Sequence, residues 1–235
     1  MNRPDFDKSA LIIVARHGNT FGPGEIPRWI GARTDLPLVE SGRLQAQALS
    51  SLFRAVRLFP AEIICGPLLR TRQFAQIIGD DCAPAVRPRV DGRLAELDYG
   101  DWEGLSDAEV EARGDAELQR RWREESIRPE NAHWGDDEDL LARESAQLLD
   151  DLSRRLAPGA AALCVTSSGR MRYLLRAMPP EFERCKAQHT LGVRTGHLAL
   201  IIAQAGQLAL AGWNLDVPQA AALFRSRLAP FTGAA

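Results

Sequence analysis

Long apolar runs are missing from this 235-residue sequence, which excludes a membrane-spanning helix of about 20 apolar residues. The opening holds no apolar stretch with a cleavage site. Leu11-Ile12-Ile13-Val14-Ala15 is short and follows a polar start, so a strand is expected there and not a signal peptide. Cysteine is sparse: Cys65, Cys82, Cys164 and Cys185 form no C-x-x-C pair. In a chain of this length they read as small buried apolar residues and not as a disulfide frame. A strong charge of one sign is also lacking. The net charge is -2, so neither a nucleic acid nor a membrane surface is expected as partner. Internal repeats and low-complexity segments do not occur. Together these absences point to a soluble, cytoplasmic protein.

What is present suits an ordinary core: 45% hydrophobic and 26% charged residues. Leu11–Ala15 is continuous and rich in β-branched residues, the mark of a strand buried on both faces. Residues 19 to 40 carry several Gly and Pro and read as a long loop. Ser41 is the expected N-cap of a helix with apolar positions at Leu44, Ala48, Leu49, Leu52, Phe53 and Val56. A second strand is expected at Ile63-Ile64-Cys65 and a second helix over Leu68 to Ile78. Strand, helix, strand, helix implies a parallel sheet. Ser106 with Glu109 has the form of a capping box, opening a helix expected to run to about Glu124. The acidic stretch Asp136 to Asp139 marks another helix start. Leu163 to Thr166 is a third buried strand. The short helix after it is expected to stop at Pro179-Pro180. His197 to Ala203 and Gln207 to Trp213 form a hairpin around Gly206, and the tail has room for one more helix.

Three segments carry candidate chemistry. Arg16-His17-Gly18-Asn19-Thr20 follows the first strand directly, where ligands of open α/β sheets bind. A cation, an imidazole and a glycine suit an oxyanion there, Gly18 letting backbone N–H groups approach it. A polar turn at a strand end would explain the tripeptide equally well. Arg70 falls on the first turn of the second helix, a good place for an anion binder. Glu96 sits between apolar residues ahead of a Gly- and aromatic-rich turn, the setting of a proton donor.

Taken together, these segments resemble the histidine phosphatase superfamily, also called phosphoglycerate mutase-like, over roughly residues 10 to 215. The R-H-G-x-T opening matches Arg16 to Thr20. The stretch D-x-P-L-x-x-x-G-x-x-Q-A matches Asp35, Pro37, Leu38, Gly42, Gln45 and Ala46. Gly66, Leu68 and Arg70 match the segment after the second strand. L-x-E-x-x-x-G-x-W-E-G matches Leu94, Glu96, Gly100, Trp102, Glu103 and Gly104. The resemblance implies a three-layer α/β/α sandwich around a mostly parallel sheet, with a helical cap inserted at about residues 106 to 160. It implies that His17 attacks phosphorus and becomes a phosphohistidine. Arg16 and Arg70 would stabilise the equatorial oxygens, and Glu96 would protonate the leaving alkoxide. Gly18, Asn19 and Thr20 would line the phosphate pocket. A small phosphorylated substrate is expected, with no metal and no cofactor.

One departure stands out. Family members carry a second histidine after the third strand, in a segment close to V-S-H-G-G-x-x-R-x-L-L. Here Val165-Thr166-Ser167-Ser168-Gly169-Arg170-Met171-Arg172-Tyr173-Leu174-Leu175 puts Ser167 at the histidine and Ser168 at the next glycine. Losing one such donor costs about 3–4 kcal/mol in a transition state, or 10²–10³ in rate. Ser167 and Ser168 would still offer neutral hydrogen bonds. Arg170, in the first turn of the next helix, is the expected replacement for the lost charge. His197 opens a strand that the family runs antiparallel, so its start would lie on the site's edge. His133 and His189 read as loop residues without a role. Arg28 and Arg33, on the long loop, are within reach of the pocket, while no clear G-E-S segment of the family is seen in the cap. Three functions stay open: a phosphomonoesterase of reduced activity, a phosphate-binding pseudoenzyme, and a phosphoglycerate mutase, against which Thr20 tilts.

Overall fold

The computed structural model describes residues 8–204 and 206–232. Its six strands are β1 (Ala10–Arg16), β2 (Glu62–Cys65), β3 (Arg89–Val90), β4 (Ala161–Thr166), β5 (Leu198–Gln204) and β6 (Gln207–Leu215). They form one sheet in the order β3-β2-β4-β1-β5-β6. The β3–β2, β2–β4 and β4–β1 pairs are parallel, and the hairpin β5–β6 joins antiparallel to β1. The helices are α1 (Glu40–Ala55), α2 (Leu69–Cys82), α3 (Asp107–Ala112), α4 (Ala116–Glu125), α5 (Glu138–Arg155), α6 (Ser168–Arg176), α7 (Pro179–Ala187) and α8 (Val217–Ser226).

The period of a strand builds the three layers. Leu11, Ile13 and Ala15 point to one face with Ile63, Leu163 and Val165, where Leu49, Phe53, Phe74, Ile78 and Phe224 of α1, α2 and α8 cover them. Ile12 and Val14 point to the other face with Ile64 and Cys164, under Leu148, Leu149 and Leu152 of α5 and Met171, Leu174 and Leu175 of α6. A third cluster stands off the sheet above the carboxyl ends of the strands: Tyr99, Trp102 and Trp122 meet Trp134 edge to face, with Val110 and Tyr173 packed in the same cluster. The expected α/β/α sandwich is therefore present. Most of α5's apolar stripe lies on the sheet, while Leu141 and Ala142 of α5 join the aromatic cluster.

Several expected boundaries shift. Helix α1 begins at Glu40 with Val39 as N-cap, and the Ser41 hydroxyl instead accepts from Asn19 Nδ2. The Ser106–Glu109 capping box forms, but its helix stops after two turns. Gly114 at φ 90° breaks it, and α4 starts anew. The Pro179-Pro180 pair ends α6 and also opens α7, since a proline in the first helical turn gives up no needed hydrogen bond. The short strand β3 had no signal in the sequence. Among the described residues no helix is long and apolar enough to cross a membrane, and the four cysteines are buried and unpaired.

Candidate active site

The carboxyl ends of β1 and β4 open on one cavity of about 540 Å³, lined by Arg16, His17, Ser168 and Gly169 among others. His17 follows β1 and is 3% exposed. Its backbone N–H donates to Thr166 O, tying it to β4. Its ring Nδ1 lies 2.8 Å from Gly18 O. A carbonyl only accepts, so the proton resides on Nδ1 and the Nε2 lone pair is left for chemistry. Arg70 Nε donates to that Nε2 at 3.2 Å. Burial first, and the nearby charges of Arg16 and Arg70 second, push the imidazole pKa well below its usual range. A nucleophile must be unprotonated, so we expect kcat/KM to hold its value as pH falls through 6.5, the ordinary imidazole region. The same shift means that the unfolded chain takes up the proton first. Stability should therefore fall below that pH and not rise. A 13C-edited titration of His17 checks both; an ordinary titration near neutrality would remove both expectations.

Three arginines gather at this cavity, Arg70 and Arg172 buried and Arg16 partly buried. Arg70 lies on α2 and is fully buried. It spends Nη1 on Thr34 O and Nη2 on Ile30 O and Gly31 O, pinning the long loop against the site. Arg16 donates Nη1 to Val193 O at 2.6 Å, while its Nε is buried without an acceptor. Arg172 of α6, 5% exposed, donates Nη1 to Trp122 O and Arg123 O at the end of α4 and lines the cavity. None of the three has a carboxylate at ion-pair distance among the described residues. Buried unpaired cations are costly, and they mark a place where an anion is meant to bind.

Glu96 enters from the segment after β3. Its carboxylate sits at the N-terminus of α6, accepting from Leu97 N (2.9 Å), Arg170 N (3.2 Å) and Gly169 N (3.3 Å). Burial first, and the nearby Glu96 charge second, push the Tyr99 phenol pKa well up. A Cβ on Gly169 would fall 2.5 Å from Glu96 Oε1 and 2.6 Å from the Tyr99 hydroxyl, so a side chain here would push directly on the Glu96 carboxylate. Trp102 and Glu103, from the same segment, stand back from the chemistry. Trp102 Nε1 donates to Asp115, and Glu103 Oε1 accepts from Gly31 N and Thr34 Oγ1, bracing the loop that Arg70 grips.

The other expected residues divide. Asn19, Thr20 and Ser168 line the cavity, although the Asn19 side chain is already bonded to Ser41 and Thr195. Gly18 does not line it. Its missing Cβ makes room for α1 instead, since a Cβ there would lie 2.4 Å from Gly42 O. Gly18→Ala should therefore destabilise by about 1–3 kcal/mol through overpacking, read as a drop in Tm; an unchanged Tm would refute the contact. Ser167 stands just behind the lining, its Oγ buried and without a partner. Arg170 is a correction. Its guanidinium turns away from His17, to Ala95 O at 2.9 Å and toward Leu141 O and Glu144. A side chain in the first turn of α6 follows the helix face toward α5, and Glu144 waits there, so Arg170 does not replace the lost charge. His197 does open an antiparallel strand, but its Nδ1 lies 3.0 Å from Asn214 O and it is not part of the cavity lining. Arg28 reaches the cavity mouth, whereas Arg33 is held by Asp98 and Gly100. Arg172 and Tyr99 were not anticipated: both lie inside recognised motifs, but only their spacing, not their chemistry, was legible. Among the described residues no group of His, Cys, Asp and Glu is arranged to hold a metal.

A family profile, the histidine phosphatase superfamily (branch 1), matches residues 12–216. The chain belongs to that superfamily. Among curated relatives, an acid phosphatase of Mycobacterium tuberculosis is 32% identical over 99 residues, 42% of this chain and 45% of that one. A 2,3-bisphosphoglycerate-dependent phosphoglycerate mutase 2 of Gloeobacter violaceus is 34% identical over 115 residues, 48% of this chain and 51% of that one. The chain thus spans about half the length of the curated relatives it matches. The solved mycobacterial glucosyl-3-phosphoglycerate phosphatase with VO3 superposes with a TM-score of 0.70 at 24% identity, covering 88% of this chain and 99% of that one. At that identity the likeness concerns the fold.

Proposed function

We propose that this histidine phosphatase superfamily member hydrolyses a small phosphorylated metabolite through a phosphohistidine on His17. The observation that carries the reading is a neutral imidazole, its Nε2 lone pair free of protons, beside Arg70 and Arg16, neither of which is paired with a carboxylate among the described residues. In the first step Nε2 attacks phosphorus and the bond to the leaving oxygen breaks. The hydrogen bond from Arg70 Nε, no longer accepted by the ring, passes to a phosphoryl oxygen. Arg16 Nε supplies a second donor. Glu96, protonated, gives its proton to the leaving alkoxide. As carboxylate it then takes a proton from the water that splits the phosphohistidine, returning His17 and inorganic phosphate.

Ser167 favours slow turnover, and a phosphate-binding protein without turnover is the second reading that this one residue supports. A mutase is the third, with Thr20 against it. Two relatives named above are a phosphatase and a mutase, so likeness does not choose between the activities. The reading treats the chain as one domain with a helical cap at about residues 106 to 160, working in the cytoplasm, in keeping with its unpaired buried cysteines. Hydrolysis of an aryl phosphate by the full chain tests it. Slow release of phenol that stops in the His17 variant supports the phosphatase. Tight phosphate binding with no release supports the binder.

A further inference from the structure

We propose that Arg172 is the third cation of the phosphate site and carries the charge that the absent second histidine would have supplied. The inference rests on the phosphate-site reading above, and it assigns to this side chain a direct contact with the phosphoryl group.

Three observations converge on it. Arg172 lines the same cavity as Arg16, His17 and Glu96, and its electrostatic neighbours include Glu96, Tyr99 and Arg16. It is 5% exposed, yet it has no carboxylate at ion-pair distance among the described residues. All of its hydrogen bonds leave from Nη1, to Trp122 O (2.9 Å) and Arg123 O (3.2 Å). Nε and Nη2 therefore keep their donors unspent, on a guanidinium fixed over the Trp122 ring at 4.9 Å. A planar donor fork held rigid by two carbonyls and an indole is pre-organised for a tetrahedral oxyanion.

The vacated position lies on the same helix. Ser167 caps α6 and can offer only a neutral, buried hydroxyl that has no partner. Arg170, the other cation nearby, is committed to Ala95 O and Glu144. That leaves Arg172 as the α6 cation that faces the cavity. Glu96, at the helix N-terminus, balances only part of the charge of Arg16, Arg70 and Arg172, so a dianionic phosphoryl group completes the set.

A structural reading competes, because Arg172 also ties α4 to α6. Arg176 makes a tie of the same kind, from Nη2 to Ser126 O just beyond α4, but it does not line the cavity. The test compares binding of inorganic phosphate and of vanadate, by calorimetry, in full-length wild type, Arg172→Gln, Arg172→Lys and Arg176→Gln. We expect Arg172→Gln to weaken both anions at least tenfold, Arg172→Lys to recover part of the loss, and Arg176→Gln to leave binding unchanged. Equal losses in Arg172→Gln and Arg176→Gln, or none in Arg172→Gln, would overturn the proposal. Turnover adds a second arm. Ser167→His should rescue Arg172→Gln by a larger factor than it improves wild type; equal factors would show that the two positions do not share a task. Wild type that binds phosphate without turning over an aryl ester would end the phosphatase reading and leave this one standing.

Discussion

His17→Ala is expected to bring aryl phosphate hydrolysis down to background while leaving anion binding in place. Removing a nucleophile that acts as one unit with its partners costs a factor on the order of 10⁴–10⁶, far more than loss of any single donor. The geometry here gives the imidazole no substitute. The neighbouring side chains Arg16 and Arg70 are cations without a lone pair, and Glu96 is occupied at the N-terminus of α6 by three backbone N–H groups. The arginines remain in the variant, so phosphate should still bind. It should bind with similar strength, because His17 is the neutral member of the cluster and takes no positive charge away when it leaves. The fold should survive with a modest loss. Arg70 Nε forfeits its acceptor, and an unsatisfied buried donor costs about 1–3 kcal/mol, whereas Nη1 and Nη2 keep their carbonyls. Steady-state turnover, phosphate calorimetry and thermal melting on one preparation separate the three effects. Residual turnover above background would displace His17 as nucleophile. Loss of phosphate binding would mean that the ring holds the site together instead of doing its chemistry.

Much of this arrangement could be read from the chain before folding, and the reason is local. Leu11 to Ala15 can be nothing but a strand buried on both faces, and whatever follows it is delivered to the sheet's carboxyl edge. The placement of His17 thus follows from five apolar residues and a glycine. Ser106 and Glu109 cap a helix through bonds that span three residues, so that start was visible too. The partners of a long side chain are a different matter. Arg170 and Arg172 differ by two positions on α6, and a helix turns about 200° between them. One faces Glu144 of α5 and the other the cavity. Which face is which depends on how α6 packs on the sheet, and no pattern within Ser168–Arg176 specifies that. The same holds for Gly18. The need for a bare Cα was legible, but its cause, the backbone of Gly42 pressed against it, comes from a helix 24 residues further on.

Ser167→His is expected to raise turnover by a factor on the order of 10², the reverse of what deleting one charged transition-state donor costs. The position is suited to the change. Ser167 contributes no hydrogen bond from its side chain and does not cap α6 through its hydroxyl, so the wild-type residue gives up little when replaced. The larger ring has to be accommodated at a position only 1% exposed, and overpacking of that kind costs about 1–3 kcal/mol. A lowered Tm beside a raised rate is therefore the expected pair. The pH profile should change as well. An imidazole buried at this position is disfavoured as a cation, as His17 is by burial first and by the charges of Arg16 and Arg70 second, and a bound phosphoryl dianion offsets that. The gain should accordingly be larger in kcat than in affinity for phosphate, and it should grow as pH falls and the new ring protonates. A variant that folds yet turns over no faster at any pH would mean that position 167 is not where this site lacks a donor. The restraint on its rate would then lie in the cap and the loop that shape the cavity mouth, and not in the loss of one imidazole.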